Sequence, residues 1–138
     1  MKYNKTLALV PAILLAACGG EEQSMKADVP SGSVVYSYPA DGQTGISPKS
    51  DIVIRFSHAI ADAEADIRNK ILIEADSGNV DFTVTKVDGG RSLKLSPASK
   101  LATGTEYSIS FAEALTAANA NPVATPNAEG PEGIQFST

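Results

Sequence analysis

The residues able to do chemistry are few. His58 is the one imidazole and Cys18 the one thiol in a chain of 138 residues. Nucleophilic catalysis by serine, histidine and an acid would have to use His58 as its base, with a serine that no nucleophile-elbow motif singles out. His58 instead follows the end of a short alternating segment, between Ser57 and Ala59, and reads as a partly exposed loop residue. Asp62, Glu64 and Asp66 form a small acidic run. Two carboxylates flanking a cleft could serve glycoside hydrolysis, whereas three on a polar segment read as a solvated face. Asp41-Gly42 and Asp76-Ser77-Gly78-Asn79 place oxygen ligands on turns. Neither reproduces an EF-hand loop, and Asp and Asn in turns ordinarily satisfy their own backbone, so calcium is a secondary reading. A lone cysteine makes no internal disulfide and no cysteine-based zinc or iron–sulfur centre. On these grounds no catalytic residue, metal ligand or cofactor is assigned, and the chain reads as non-enzymatic.

Charge narrows the partners. Eleven bases against sixteen acids leave a formal −5 and a pI near 4.7, without the basic footprint that a phosphate backbone requires. Nucleic acid is excluded as a partner on that basis. With 43% hydrophobic and 20% charged residues, the composition is that of one ordinary globular domain.

The N-terminus carries the clearest address. Lys2 and Lys5 precede an apolar run over residues 7–16, and Leu15-Ala16-Ala17 leads into Cys18, the layout of a secretion signal. The run is about half the roughly 20 residues needed to span a bilayer, and Pro11 interrupts it. Leu15-Ala16-Ala17-Cys18-Gly19 resembles the lipobox of bacterial lipoproteins. That resemblance implies that Cys18 receives a diacylglycerol and becomes the first residue after cleavage; the alternative is an ordinary Ala-x-Ala-like cut with Cys18 an incidental thiol. In the lipoprotein families an Asp after the cysteine retains the product in the inner membrane, whereas Gly19 stands here, which implies the outer membrane. Membrane contact is then through covalent lipid, and several chains make it durable, since each buried methylene contributes about 0.8 kcal/mol. Removing residues 1–17 leaves nine bases against sixteen acids.

Residues 18–32 read as a lipidated tether. The stretch is polar, contains Pro30 and shows no apolar periodicity, although residues 21–28 also tolerate a short helix. Residues 19–32 would reach about 45 to 50 Å fully extended. From Ser33 onward the period is two, which predicts strands. They are expected over 34–38, 51–56, 71–74, 80–87, 92–95, 105–111 and 133–137, with one or two helical turns over 62–69. Ile52, Ile54 and Phe56 share one face, as do Leu93 with Leu95 and Tyr107 with Ile109 and Phe111. The turn over 76–79 is expected to form a hairpin into 80–87. Tyr36 and Phe82 read as core, which leaves no aromatic platform for a sugar. About seven short strands make the chain all-β, an antiparallel sandwich over residues 33–138.

Two motifs sharpen this class. Leu101-Ala102-Thr103-Gly104-Thr105-Glu106-Tyr107 resembles the tyrosine corner of Ig-like sandwiches. Ser37-Tyr38-Pro39-Ala40-Asp41-Gly42-Gln43-Thr44-Gly45-Ile46-Ser47-Pro48, followed by Ile52-Val53-Ile54-Arg55-Phe56-Ser57, is similar to the SbsA-type bacterial Ig-like domain. The similarity continues through Leu93-Lys94-Leu95-Ser96-Pro97 and Tyr107 to Phe136-Ser137-Thr138. Ala120-Asn121-Pro122 stands where that family has Gly-Asn-Pro, and residues 125–132 lengthen the following loop. His58 takes a position often acidic in the family.

The resemblance implies a non-catalytic binding, adhesion or structural module, anchored in the outer membrane and facing either the periplasm or the surface, with a protein or cell-surface partner. Two alternatives remain: an N-terminal Ig-like module of a longer surface protein or enzyme, and a periplasmic lipoprotein binding calcium or a glycan through the 112–132 loop and the Asp-bearing turns.

Overall fold

The computed structural model describes residues 33–123 and 133–138. Cys18, the signal over 1–17, the tether over 18–32 and the added loop over 125–132 lie outside the described residues. Eight strands are described: β1 (Val34–Tyr38), β2 (Ile52–Phe56), β3 (Ile71–Ala75), β4 (Gly78–Asn79), β5 (Phe82–Val87), β6 (Ser92–Pro97), β7 (Glu106–Phe111) and β8 (Ile134–Ser137). They form two antiparallel sheets, ordered β1-β2-β6-β5 and β4-β3-β7-β8. This is the all-β sandwich that period-two alternation predicts, with one strand more than the expected seven.

The apolar positions of both sheets meet in the middle. Ile52, Ile54 and Phe56 of β2 and Leu93 and Leu95 of β6 are buried against Ile71 and Ile73 of β3 and Ile109 and Phe111 of β7. Burying one such side chain contributes roughly 1.5 to 3 kcal/mol, so this layer dominates the stability. Tyr107 stacks on Phe136 with ring centroids 5.3 Å apart. Its hydroxyl accepts the Ala102 N–H at 2.7 Å, which is the tyrosine corner expected from residues 101–107.

Three expectations are corrected. The turn over 76–79 does not lead directly into a strand over 80–87: Gly78 and Asn79, expected in the turn, pair with Ala75 and Glu74 in one sheet, and the chain then crosses so that Phe82 to Val87 pairs with β6 in the other. The 76–79 hairpin therefore closes on β4, not on β5. The second correction concerns Tyr36, which is 55% exposed, not core. A β-bulge lies between Val34 and Tyr36: Val34 pairs with Phe56 while Tyr36 pairs with Arg55. One extra residue shifts the parity of everything after it, so Tyr36 and Tyr38 turn outward and Ser37 inward. Phe82 is buried, as expected. The third correction falls on the acidic run and is given with its contacts below.

The helical turns form α1 (Glu64–Lys70). Seven residues make a marginal helix in isolation, but acids in its first turn and bases in its last suit the helix dipole. Ile67 is fully buried beneath it. Across the molecule the ladders set the polarity of the chain. Ser33 pairs by backbone with Ser57, beside Ile60 and Arg91. Thr138 bonds to Gly104 and Thr105, at the other end of the sheets. The described chain thus enters at one end of the sandwich and leaves at the opposite one.

Candidate functional site

The structure separates the residues that the sequence offered for chemistry. His58 follows β2 half-buried, its Nδ1 3.0 Å from the Ser57 hydroxyl. That hydroxyl already accepts the Ser33 N–H at 3.0 Å. Among the described residues no carboxylate is hydrogen-bonded to the ring, so nothing orients His58 as a catalytic base.

The acidic run is taken apart by the fold. Asp62 is not on a solvated face: its carboxylate meets Lys70 Nζ at 3.0 Å and accepts the Thr116 N–H at 2.6 Å, with both charged side chains largely buried. Lys70 Nζ also donates to the Ala114 carbonyl at 3.4 Å. Glu64 accepts the Lys86 N–H on β5 at 2.7 Å, while Asp66 stays exposed. The run thus divides into a clamp on the 112–117 segment, a strand-edge cap and a surface charge, and no pair of carboxylates flanks a cleft.

The clamp has a pH consequence. Burial pushes the Asp62 carboxyl up, but the Thr116 amide and the hydrogen bond and charge of Lys70 together outweigh it, and the net shift is below the ordinary 3.8. A depressed carboxyl contributes stability that is present above the ordinary value and is lost as pH falls through the folded one. Asp62→Asn is expected to lower stability at pH 7 by about 1 to 2 kcal/mol and to flatten the decline between pH 7 and the acid limb, measured by urea unfolding across pH. An unchanged acid limb would remove Asp62 from the titrating groups that hold the fold.

The turn carboxylates are engaged in part. Asp41 Oδ1 accepts the Gln135 N–H at 2.9 Å, and Gly42 N–H donates to the Gln135 carbonyl at 2.7 Å. Among the described residues no group of three or more His, Cys, Asp or Glu side chains could hold a metal ion. In the 112–123 part of the long loop, Leu115, Ala117 and Val123 are buried, so this part closes the end of the core. Ala120 adopts φ +63°, the left-handed conformation that the family's glycine enters without a Cβ penalty.

Two surface features were not assembled from the sequence. The first is an open groove of about 460 Å³ on the outer side of the β3-β7-β8 sheet, whose lining includes Glu74, Asp76, Glu106, Gln43 and Gln135. Register places Glu74 beside Ser108 and Ser108 beside Gln135, so residues far apart in the chain share one face. The only sequence signal for them is their polar position in alternating strands. The second is the exposed strip of Val35, Tyr36 and Tyr38 on β1, which depends on the bulge and has no sequence signal beyond the residues themselves.

These features sit on a fold with known relatives. The chain is 57% identical over 139 aligned residues to Alkane uptake protein B of Marinobacter nauticus, the match covering 100% of this chain and 13% of that protein. The chain therefore spans a small part of the length of that relative. The S-layer protein rSbsC(31-844) aligns with a TM-score of 0.55 at 14% identity, over 78% of this chain and 13% of that one. CopC from Methylosinus trichosporium OB3b aligns with a TM-score of 0.54 at 20% identity, over 76% and 90% of the two chains. At these identities the two structures speak for the sandwich alone. The sequence model of the bacterial Ig-like domain matches residues 28–138, and with the paired sheets and the tyrosine corner in place, the chain belongs to the bacterial Ig-like domain family.

Proposed function

We propose that this chain is the lipid-anchored, non-catalytic Ig-like module of a larger protein of the bacterial outer membrane that takes part in the uptake of alkane-like substrates. The observation that carries this reading is the 57% identity along the whole chain to a protein named for alkane uptake, of which the chain matches 13%. The fold suits a module inserted between an anchor and a larger body. The chain enters beside Ser57 and leaves beside Thr105 at the opposite end, so whatever follows is carried away from whatever precedes. Cys18 would supply the anchor and residues 19–32 the tether.

The module's part is to hold and space, not to bind the alkane. A hydrocarbon site requires an enclosed apolar cavity, whereas the groove on the β3-β7-β8 sheet is open and lined by Glu74, Asp76 and Glu106. The inward faces of the two sheets are occupied by their own isoleucine, leucine and phenylalanine side chains.

Cys18→Ser tests the anchor. In the producing bacterium the wild-type protein is expected in the outer-membrane fraction and the variant in the soluble periplasmic fraction, both with the same thermal midpoint. A cleaved variant that stays firmly in the membrane fraction would overturn lipid attachment at Cys18. For the uptake role, deleting residues 33–138 from the gene of the larger protein is expected to slow growth on a liquid alkane while growth on acetate is unchanged. Equal growth on both would remove the module from uptake.

A further inference from the structure

Among the described residues, β5 and β8 are flanked by other segments, whereas β1 is an uncovered edge of five residues and the exposed two-residue β4 the opposite edge of the other sheet. On β5, α1 supplies the cover: Arg68 Nε donates to the Phe82 carbonyl at 2.7 Å, and Glu64 accepts the Lys86 N–H at 2.7 Å. Along β8, the 41–46 segment lies alongside, exchanging backbone hydrogen bonds from Gly42, Gln43 and Ile46 with Gln135 and Ser137. β3 carries the two-residue arm β4, and the Val80 N–H donates to the Ile73 carbonyl. An open strand edge is a row of unpaired donors and acceptors that other strands can join.

The free groups of β1 can be assigned from the ladder. Phe56 N–H donates to Arg91, away from β1, and Ser57 N–H donates to Ser33, toward it. Backbone groups alternate along a strand, so Arg55 and Val53 face β1, and their register partners Tyr36 and Tyr38 face β2. Ser37, between them, points its N–H and C=O outward from the sheet edge. The strand is Val-Val-Tyr-Ser-Tyr, without charge or proline, in a chain of formal charge −5. Three of the four large hydrophobic residues exposed on the described surface lie on it: Val35 at 55%, Tyr36 at 55% and Tyr38 at 36%.

We infer that β1 is a self-pairing edge through which two copies of this chain form a two-fold dimer. A second copy is the occupant that this strand's chemistry fits. Antiparallel pairing centred on Ser37 joins each Ser37 N–H to the Ser37 carbonyl of the other copy. It sets Tyr36 of each copy opposite Tyr38 of the other, in the closer, non-hydrogen-bonded kind of cross-strand pair. Aromatic residues so placed add roughly 0.2 to 1 kcal/mol per pair. An acidic chain repels its own copies, and an uncharged strand is a line along which two can meet without opposing carboxylates. The same features limit the assembly. The bulge at Val35 turns the strand away from further pairing, Pro39 has no N–H to donate, and a two-fold contact uses both edges at once. A strand this short buries less than a standard interface, so the contact is a weak one.

The test is sedimentation equilibrium of the chain from position 18 carrying Cys18→Ser, between about 10 µM and 1 mM, the concentrations at which weak association is read. The expected result is a monomer passing to a dimer. Tyr36→Lys, which removes the ring facing Tyr38 of the other copy and sets two lysines diagonally across the two-fold, and Ser37→Pro, which deletes the outward N–H at an edge position that accepts proline, are each expected to remain monomeric. Val87→Lys, on the far edge of the same sheet, is expected to dimerise as before. A wild-type chain that is monomeric throughout, a dimer that persists in Tyr36→Lys, or association that continues past two copies would each overturn the proposal.

Discussion

Gly133→Ala is expected to lower the stability of the domain by about 3 kcal/mol or more, the upper range for overpacking. A Cβ built on Gly133 would stand 1.8 Å from the Ile109 carbonyl oxygen, 2.7 Å from its carbonyl carbon and 3.2 Å from the Ser110 Cα. All three atoms are backbone. A side chain can rotate away from an intruding methyl, but β7 is fixed by β3 on one side and β8 on the other. Relief would require the start of β8 to peel off, taking with it Ile134 and Phe136, which are both buried. At roughly 4 to 8 °C per kcal/mol for a domain of this size, the thermal midpoint should fall by some 12 °C or more in a circular dichroism melt. A shift within about 2 °C would mean that β8 does not approach β7 as closely as described.

Phe56→Ala is expected to cost about 3 to 5 kcal/mol, the usual range for truncating a buried aromatic ring. Phe56 is 1% exposed and meets Phe111 edge to face, with centroids 6.5 Å apart and planes at 83°. The ring spans the two sheets, and alanine would leave a cavity between them that the surrounding strands can fill only in part. The informative comparison is Tyr36→Ala, another aromatic truncation in the strand next door. Because the bulge turns Tyr36 outward, its loss should change stability by no more than about 0.5 kcal/mol at micromolar concentration. Denaturant unfolding of both variants checks the contrast. Comparable losses would place Tyr36 in the core after all and remove the bulge.

How much of this was legible in the chain varies by residue. The core face of β2 was readable because Ile52, Ile54 and Phe56 lie two apart and a strand has a period of two. Tyr107 was readable as a corner because its motif is local. The crossing from β4 to β5 was not. Val80, Phe82 and Val84 keep one alternation through the change of sheet, since both sheets face the same core and periodicity does not say which of them a residue serves. Tyr36 was misplaced for a related reason: an inserted residue reverses parity without changing composition. The acidic run misled because the partners that decide the state of Asp62, Lys70 and Thr116, are 8 and 54 residues away. Gly133 carried no sign of its importance, which comes from a backbone more than twenty residues upstream.

The sequence by itself determined the local features: an apolar run over 7–16 followed by Cys18, an acidic composition, a run of half-buried strands, and the turn and corner motifs of the Ig-like class. Each depends on neighbours along the chain, where spacing and residue type are sufficient. Tertiary structure alone decided which strands share a sheet, which edges are covered, where the carboxylates of the groove converge and which way β1 turns its tyrosines. Those properties depend on contacts between segments distant in sequence, and a strand's alternation has the same appearance whichever partner it meets.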